Sequence, residues 1–385
     1  MTVFEFITAG RIVFGRGAIA QIGALAQSYG ERALVVTGGS VERARIVQEA
    51  LNRAGIAHTA FAVAHEPTVD LAQQAVRMAR DFGAQVVIGF GGGAAVDLGK
   101  AVAALTTNPG DPLDYLEVIG RGKPLGADPL PYLAVPTTAG TGAEVTRNAV
   151  LASPEHRVKV SLRSPKMLPR VALIDPELTL SLPPGITAST GMDALTQCIE
   201  PFVSPAANAL TDVFCRDGIQ RAARSLLRAY HDGSEIDARE DLSAAALMGG
   251  LALANAKLGA VHGFAAPIGG MFDAPHGAVC AALLAPVMRA NLDALRERAP
   301  EHLSLERYAE VARLLTGRLD AAADDGVQWV EALTHDLRIP GLSVYGVNSD
   351  VLPEIADKAA HASSMKGNPI ALSQAELAGI LHAAL

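Results

Sequence analysis

Gln85-Val86-Val87-Ile88-Gly89-Phe90 runs directly into Gly91-Gly92-Gly93-Ala94-Ala95-Val96-Asp97, and the reading of this stretch decides the fold. A continuous apolar run rich in β-branched residues and closed by glycines predicts a buried strand. The Ala- and Leu-rich segment after the glycines predicts a helix carrying Asp97 and Lys100. Successive glycines let backbone N–H groups come close to a pyrophosphate, and the start of the helix adds partial positive charge. Gly89 to Ala94 also fits a G-x-G-x-x-A pattern, on the third strand-like unit of the chain rather than the first.

Outward from this unit the same grammar repeats. Arg32-Ala33-Leu34-Val35-Val36-Thr37 predicts a strand ending in Gly38-Gly39-Ser40, followed by a helix from about Val41 to Ala54. Asp70 to Phe82 predicts an amphipathic helix stopped by Gly83. Tyr132 to Pro136 predicts a strand that enters Thr137-Thr138-Ala139-Gly140-Thr141-Gly142, and Leu173-Ile174-Asp175 is the last clear strand. Alternation of this kind implies a parallel sheet with helices on both faces. Three glycine-bearing turns then fall at carboxyl ends of strands, where open parallel sheets bind ligands, with the Thr137, Thr138 and Thr141 hydroxyls beside them. No G-x-x-x-x-G-K-[ST] loop is present, which argues against an ATPase.

After Leu182-Pro183-Pro184-Gly185 the character changes to long Ala/Leu-rich segments: 186–203, 208–229, 239–258, 278–295, and further ones near 304–315, 321–337 and 373–385. These are too long for strands and predict helices. The expected organisation is a Rossmann-like α/β domain over 1–182 and an all-helical domain over 183–385, divided at the Pro-Pro-Gly punctuation.

Composition narrows the function classes. The chain has 385 residues, half of them apolar, and a formal net charge of -8 with no basic stripe, which excludes nucleic-acid binding as an expectation. No apolar stretch reads as a membrane span of about 20 residues. The first residues, Met-Thr-Val-Phe-Glu-Phe, lack the basic start of a signal peptide, so a cytoplasmic location is expected. Cys198, Cys215 and Cys280 show no metal-site spacing and read as reduced and buried.

The helical half holds the densest chemistry. In Gly191-Met192-Asp193-Ala194-Leu195-Thr196-Gln197-Cys198-Ile199-Glu200, Asp193 and Gln197 share one helical face, one turn apart. His262-Gly263 and His276-Gly277 follow in an apolar, Gly/Ala-rich setting. One carboxylate, one amide and two imidazoles can converge on a divalent metal such as Zn or Fe.

Taken in order, these motifs give the chain a resemblance to the iron-containing (group III) alcohol dehydrogenase family. The motifs are Arg11-Ile12-Val13-Phe14-Gly15-Arg16-Gly17, Glu66-Pro67-Thr68, Gly91-Gly92-Gly93 with Asp97 and Lys100, Thr137 to Glu144, Asp175-Pro176, Gly191-Met192-Asp193, His262 and Pro275-His276-Gly277. The resemblance implies a dehydroquinate-synthase-like fold with NAD or NADP in the cleft between the domains. It implies a divalent metal, iron by family with Zn or Mn as alternatives, a small alcohol or aldehyde substrate, and a homodimer or larger assembly. Gly92, Gly93 and Ala94 should hold the pyrophosphate, with Asp97 on the helix behind them. Thr137, Thr138 and Thr141 should line the cofactor, and Lys159 should lie near the nicotinamide ribose. Asp193, His262 and His276 match three of the four metal ligands and form the catalytic set with Lys159.

Two positions depart from the family pattern. The fourth ligand, usually His, is Gln197, and Ala266 stands one turn after His262 where many relatives carry a second His thought to relay protons. An amide oxygen is a poorer donor than imidazole, so metal affinity is expected to fall and preference to drift toward Mn²⁺ or Mg²⁺. Gly38, Gly39 and Ser40, with Arg43 and Arg45 beyond, leave room for a 2′-phosphate and predict that NADP(H) is accepted. The alternatives are a maleylacetate-reductase-like enzyme with weak or no metal requirement, a lyase resembling dehydroquinate synthase, and a nucleotide-binding pseudoenzyme.

Overall fold

A computed structural model describes residues 3–385. Two compact units emerge. One comprises Ile7–Thr138 and Gly142–Leu180; the other comprises the stretch ending at Phe6, Ala139–Thr141 and Ser181–Leu385.

The first unit is α/β. Its strands are β1 (Ile12–Phe14), β2 (Arg32–Thr37), β3 (Ala57–Ala62), β4 (Val86–Gly91), β5 (Tyr132–Pro136), β6 (Asn148–Ser153), β7 (Val158–Arg163) and β8 (Val171–Ile174). Its helices are α1 (Ile22–Gln27), α2 (Arg45–Arg53), α3 (Val69–Phe82) and α4 (Gly93–Thr107). Six strands form one parallel sheet in the order β1-β8-β5-β4-β2-β3, while β6 and β7 make a separate antiparallel hairpin. Strands β4, β5 and β8 are buried throughout and apolar on both faces because both faces are covered. Leu34, Val36 and Val87 pack into one core with residues of α3 and α4, whereas Val35, Val86 and Ile88 pack into another with residues of α1 and α2. Strand β2 pairs with β3 on one side and β4 on the other, so the winding reverses between β2 and β4. Ligands bind at such a switch point, beyond the carboxyl ends of the strands.

The second unit is built from nine helices among the described residues. They are α5 (Pro184–Val203), α6 (Ala209–His231), α7 (Ile236–Asn255), α8 (Ala260–Met271), α9 (His276–Arg298), α10 (Leu303–Thr316), α11 (Ala323–Asp336), α12 (Leu352–His361) and α13 (Gln374–Ala383). Proline at the first turn of α5 starts the helix with its φ already set. Helix α5 is buried from Gly191 to Val203, polar residues included. Glycines on its neighbours allow this burial. A Cβ on Gly218 of α6 would meet Cys198 Sγ at 2.5 Å, and one on Gly249 of α7 would meet Gln197 Cβ at 3.0 Å. On α5 itself a Cβ at Gly191 would meet Leu226 Cδ1 at 2.3 Å, a packing role for the glycine of the Gly191-Met192-Asp193 motif.

Helix α9 is long and apolar enough to cross a membrane by length and composition, although most of it is buried inside the protein. Its apolar face belongs to the helical core, which explains its hydropathy.

Candidate metal centre and cofactor turns

In the α/β unit the glycine turns lie side by side. Gly38 N–H donates to the Phe90 carbonyl at 3.2 Å, and Thr137 N–H donates to the Gly91 carbonyl at 2.8 Å. Close approach requires glycine at 91, where a Cβ would meet Ala95 Cβ at 2.6 Å and Gly38 N at 3.0 Å. Gly92 caps α4 without a side-chain hydrogen bond, and its carbonyl takes the Ala95 and Val96 N–H groups, so those of Gly93 and Ala94 remain for an anion. Gly89, by contrast, serves packing: a Cβ there would meet the Tyr132 hydroxyl at 2.1 Å, and that hydroxyl donates to the Val96 carbonyl. The G-x-G-x-x-A match therefore mixes a packing glycine with turn glycines.

The side chains around these turns are partly committed to the fold. Asp97 accepts from Val150 N–H at 3.0 Å, holding the β6–β7 hairpin. Lys100 is buried and donates to the Ala143 and Asn148 carbonyls and to Thr146 Oγ1. Lys159 sits on β7, nearly buried, 3.1 Å from Glu66 Oε1. At the end of β2 the Ser40 hydroxyl donates to Glu42, Arg43 donates to the Leu178 carbonyl, and Arg45 pairs with Glu49. A Cβ on Gly38 meets nothing within 4 Å, so this end of β2 is open. Gly39 is tighter, with Ala64 at 3.3 Å. Thr137 is buried and Thr138 half-buried within this unit, whereas Thr141 falls in the short stretch that belongs to the helical unit.

In the helical unit three helices bring the expected donors together. Asp193 projects from the middle of α5, His262 from the first turn of α8, and His276 opens α9. The glycines after the histidines have a structural reason. A Cβ on Gly277 would meet the Ser189 carbonyl of α5 at 2.5 Å, and one on Gly263 would meet Met365 Cε at 2.9 Å. Asp193 Oδ1 lies 3.5 Å from His262 Nε2 and 3.6 Å from His276 Nε2. Cys280, one turn after His276, places Sγ 3.6 Å from His276 Nε2 and 3.9 Å from His262 Nε2. Donor atoms of all four residues lie within 4.8 Å of one another, the one such group among the described residues.

Gln197 is buried beside them, with its NH₂ donating to the Gly140 carbonyl at 3.3 Å. The side-chain oxygens Asp193 Oδ1 and Gln197 Oε1 are both buried without a hydrogen-bond partner. A buried orphan acceptor costs roughly 1–3 kcal/mol, more for a charged one, and a cation among these donors removes that cost. The residues present therefore fit a divalent metal. Burial works against charge here, yet His276 and His262 hold the Asp193 carboxyl below its ordinary range. Burial is likewise outweighed at His276, where Cys280 and Asp193 push the imidazole up to about 9. Protons and a metal ion compete for the same lone pairs.

Glu200 completes the arrangement. It is buried two turns after Asp193, accepting from His262 Nδ1 at 2.6 Å and from Val261 N–H at 2.7 Å. A carboxylate on Nδ1 fixes the tautomer and leaves the Nε2 lone pair for a metal. Glycine at 259 allows this contact, since a Cβ there would meet Glu200 Oε1 at 2.9 Å. Glu200 and Cys280 were not distinguished as site residues by the sequence reading. Their signals were there: Glu200 follows Asp193 by seven residues and Cys280 follows His276 by four, both helical-face spacings. The reading of Cys280 as lacking metal-site spacing is thereby corrected. Ala266 is exposed, and Phe264 is fully buried in the helical core.

A parallel sheet with glycine turns at its switch point and a largely buried Asp/His/His/Cys cluster, with His276 half-buried, define a metal-dependent, NAD(P)-linked oxidoreductase. The iron-containing alcohol dehydrogenase profile matches residues 9–176, and the C-terminal profile of the Fe-containing alcohol dehydrogenase family matches residues 187–385. The chain is 33% identical to choline dehydrogenase of Bacillus subtilis over 96% of its own length and 92% of that protein's. It is equally 33% identical to 1,3-propanediol dehydrogenase of Klebsiella pneumoniae, over 99% of both chains. A crystal structure of 1,3-propanediol oxidoreductase superposes with a TM-score of 0.91 at 33% identity, covering 100% of both chains. The chain belongs to the iron-containing alcohol dehydrogenase family. Its activity is that of the family: NAD(P)-linked, metal-dependent interconversion of small alcohols and aldehydes.

Proposed function

We propose that this chain oxidises a small primary alcohol, or reduces the matching aldehyde, with Asp193, His262 and His276 as metal ligands. The carrying observation is Asp193 Oδ1, a buried acceptor without a hydrogen-bond partner that faces two imidazole nitrogens at 3.5 and 3.6 Å. Choline and 1,3-propanediol, the substrates named for the two relatives, both carry a primary hydroxyl, which supports that choice of substrate. When bound, the metal supplies Lewis acidity to the substrate oxygen and the nicotinamide exchanges the hydride. Iron is the expected ion, with zinc or manganese as alternatives.

The chain's own residues do the rest. Glu200 holds His262 in one tautomer, and the helix contacts at Gly277 and Gly263 fix where the imidazoles stand. Backbone N–H groups at Gly92, Gly93 and Ala94 bind the pyrophosphate, with Gly91 enforcing the turn. Thr137, Thr138 and Thr141 line the cofactor. Lys159, anchored by Glu66, offers a cation to the ribose side of the nicotinamide. Gly38 leaves space for an adenosine 2′-phosphate, so both NAD and NADP are used. The division of labour between a cofactor domain over 1–182 and a metal and substrate domain over 183–385 is part of this reading. So are a cytoplasmic location and a homodimeric or larger assembly.

Absorbance of NADH and NADPH, followed with choline, 1,3-propanediol and simple primary alcohols in both directions, tests the proposal. Turnover of at least one primary alcohol is expected. Reduction of maleylacetate with no alcohol turned over would replace this reading with that of a double-bond reductase.

A further inference from the structure

We infer that Cys280 is a thiolate ligand of the metal centre, occupying by function the place where Gln197 offers only an amide. The inference rests on the metal reading proposed above and deepens it. Three buried thiols are available for comparison. Cys198 has the Ala245 carbonyl as its polar neighbour, at 3.6 Å, and Cys215 is packed in the helical core. Cys280 alone among them faces two imidazoles, at 3.6 and 3.9 Å from the same Nε2 atoms that Asp193 Oδ1 faces at 3.5 and 3.6 Å.

Those separations have a meaning. Bonds of about 2.0–2.3 Å arranged tetrahedrally leave ligand atoms about 3.3–3.6 Å apart. The four contacts lie at or slightly above that range. The second, independent observation is the orphaned oxygen of Asp193, a side chain only 1% exposed and turned to the same two nitrogens. Gln197 is the weaker donor: its NH₂ is spent on the Gly140 carbonyl, and its buried Oε1 is a neutral amide oxygen, harder and less basic than a thiolate.

On binding, the Cys280 thiol releases its proton to water as the sulfur–metal bond forms, with no change of oxidation state. Asp193 and the thiolate then bring two negative charges to a divalent cation, and two neutral imidazoles complete the set. Thiolate is a soft donor that favours zinc and iron over magnesium and manganese. The direction is opposite to the one expected from Gln197 alone.

Cobalt(II) added to chelator-treated full-length protein decides the matter, because thiolate-to-cobalt charge transfer gives a near-ultraviolet band that nitrogen and oxygen donors do not. The band is expected in the wild type and in Gln197→Ala. It should vanish in Cys280→Ser and Cys280→Ala, with cobalt and zinc bound at least tenfold more weakly. One cobalt bound to the wild type without the band overturns the thiolate and leaves the metal centre standing. A band that persists in both Cys280 variants, or follows Gln197 instead, overturns it equally. Failure of the wild type to bind cobalt or zinc at all overturns the metal centre itself. Circular dichroism on each variant separates loss of the ligand from loss of the fold.

Discussion

The two units build their candidate sites by opposite means. In the α/β unit the candidate site is backbone: turns in which a Cβ at Gly91 would collide and one at Gly92 would crowd Thr138, within one run of consecutive strand-turn-helix units. In the helical unit the site is side chain: donors from α5, α8 and α9 that lie up to 87 residues apart, between Asp193 and Cys280. On the proposed reading the backbone turns tolerate change except where a Cβ would collide, whereas each side chain of the cluster is needed for the chemistry. Substitutions should therefore sort cleanly, with cofactor binding lost on one side and metal lost on the other.

The largest effect that sharpens this contrast is Glu200→Gln. The carboxylate accepts both Val261 N–H and His262 Nδ1–H, and an amide offers only one acceptor oxygen. Metal affinity should fall about 10–100-fold, as is usual when a carboxylate behind a ligating imidazole is lost. Competition with a chromogenic chelator measures it, and unchanged cofactor affinity in the same variant keeps the two sites separate.

Much of this arrangement was legible in the sequence, and the reasons for the exceptions are physical. The strand at Arg32–Thr37 and the one at Tyr132–Pro136 were read with their observed limits, because a strand covered on both faces is simply a continuous apolar run. The hairpin of β6 and β7, which carries Lys159, was missed because its half-buried strands hold Asn148, Lys159 and Arg163 and lack that run. Helix α8, which carries His262, was also missed. Ala260 to Met271 includes Gly263, Pro267, Gly269 and Gly270, residues of poor helix propensity that packing overrides. Asp193, His262 and His276 stand out in the sequence as residue types that suit a metal, whereas the helical spacings of Glu200 and Cys280 gain meaning once the distances are known.

On the backbone side the comparison predicts a change of preference rather than a loss. Gly38→Asp places a carboxylate in open space at the end of β2, where it accepts from ribose hydroxyls and repels a 2′-phosphate. The ratio of kcat/KM for NAD over NADP should rise about tenfold, equivalent to roughly 1.4 kcal/mol, with metal content unchanged. A ratio that stays put would mean that this strand end does not meet the adenosine.

The smallest effect concerns Glu144, buried in the α/β unit, whose carboxyl is pushed up to about 7 by burial despite Lys100 nearby. The folded state then holds a proton that the unfolded state gives up near its ordinary value, so stability falls as pH rises through that window and levels off above about 7. Glu144→Gln should flatten the decline between pH 5 and 8, raising the melting temperature at pH 8 by about 2–4 °C relative to the wild type. Thermal scans at the two pH values read it directly, and an unchanged slope would assign the titration elsewhere.

The central claim is that chemistry in the helical unit depends on a metal while cofactor binding in the α/β unit does not. Stripping the purified enzyme with a strong chelator and measuring both properties on one sample tests it. Alcohol turnover should fall at least 100-fold, in keeping with the several kcal/mol that a Lewis acid contributes, and return on addition of iron or zinc. NAD(P)H affinity, followed by nucleotide fluorescence, should stay within about twofold throughout. Full turnover by protein shown to contain no metal would contradict the account.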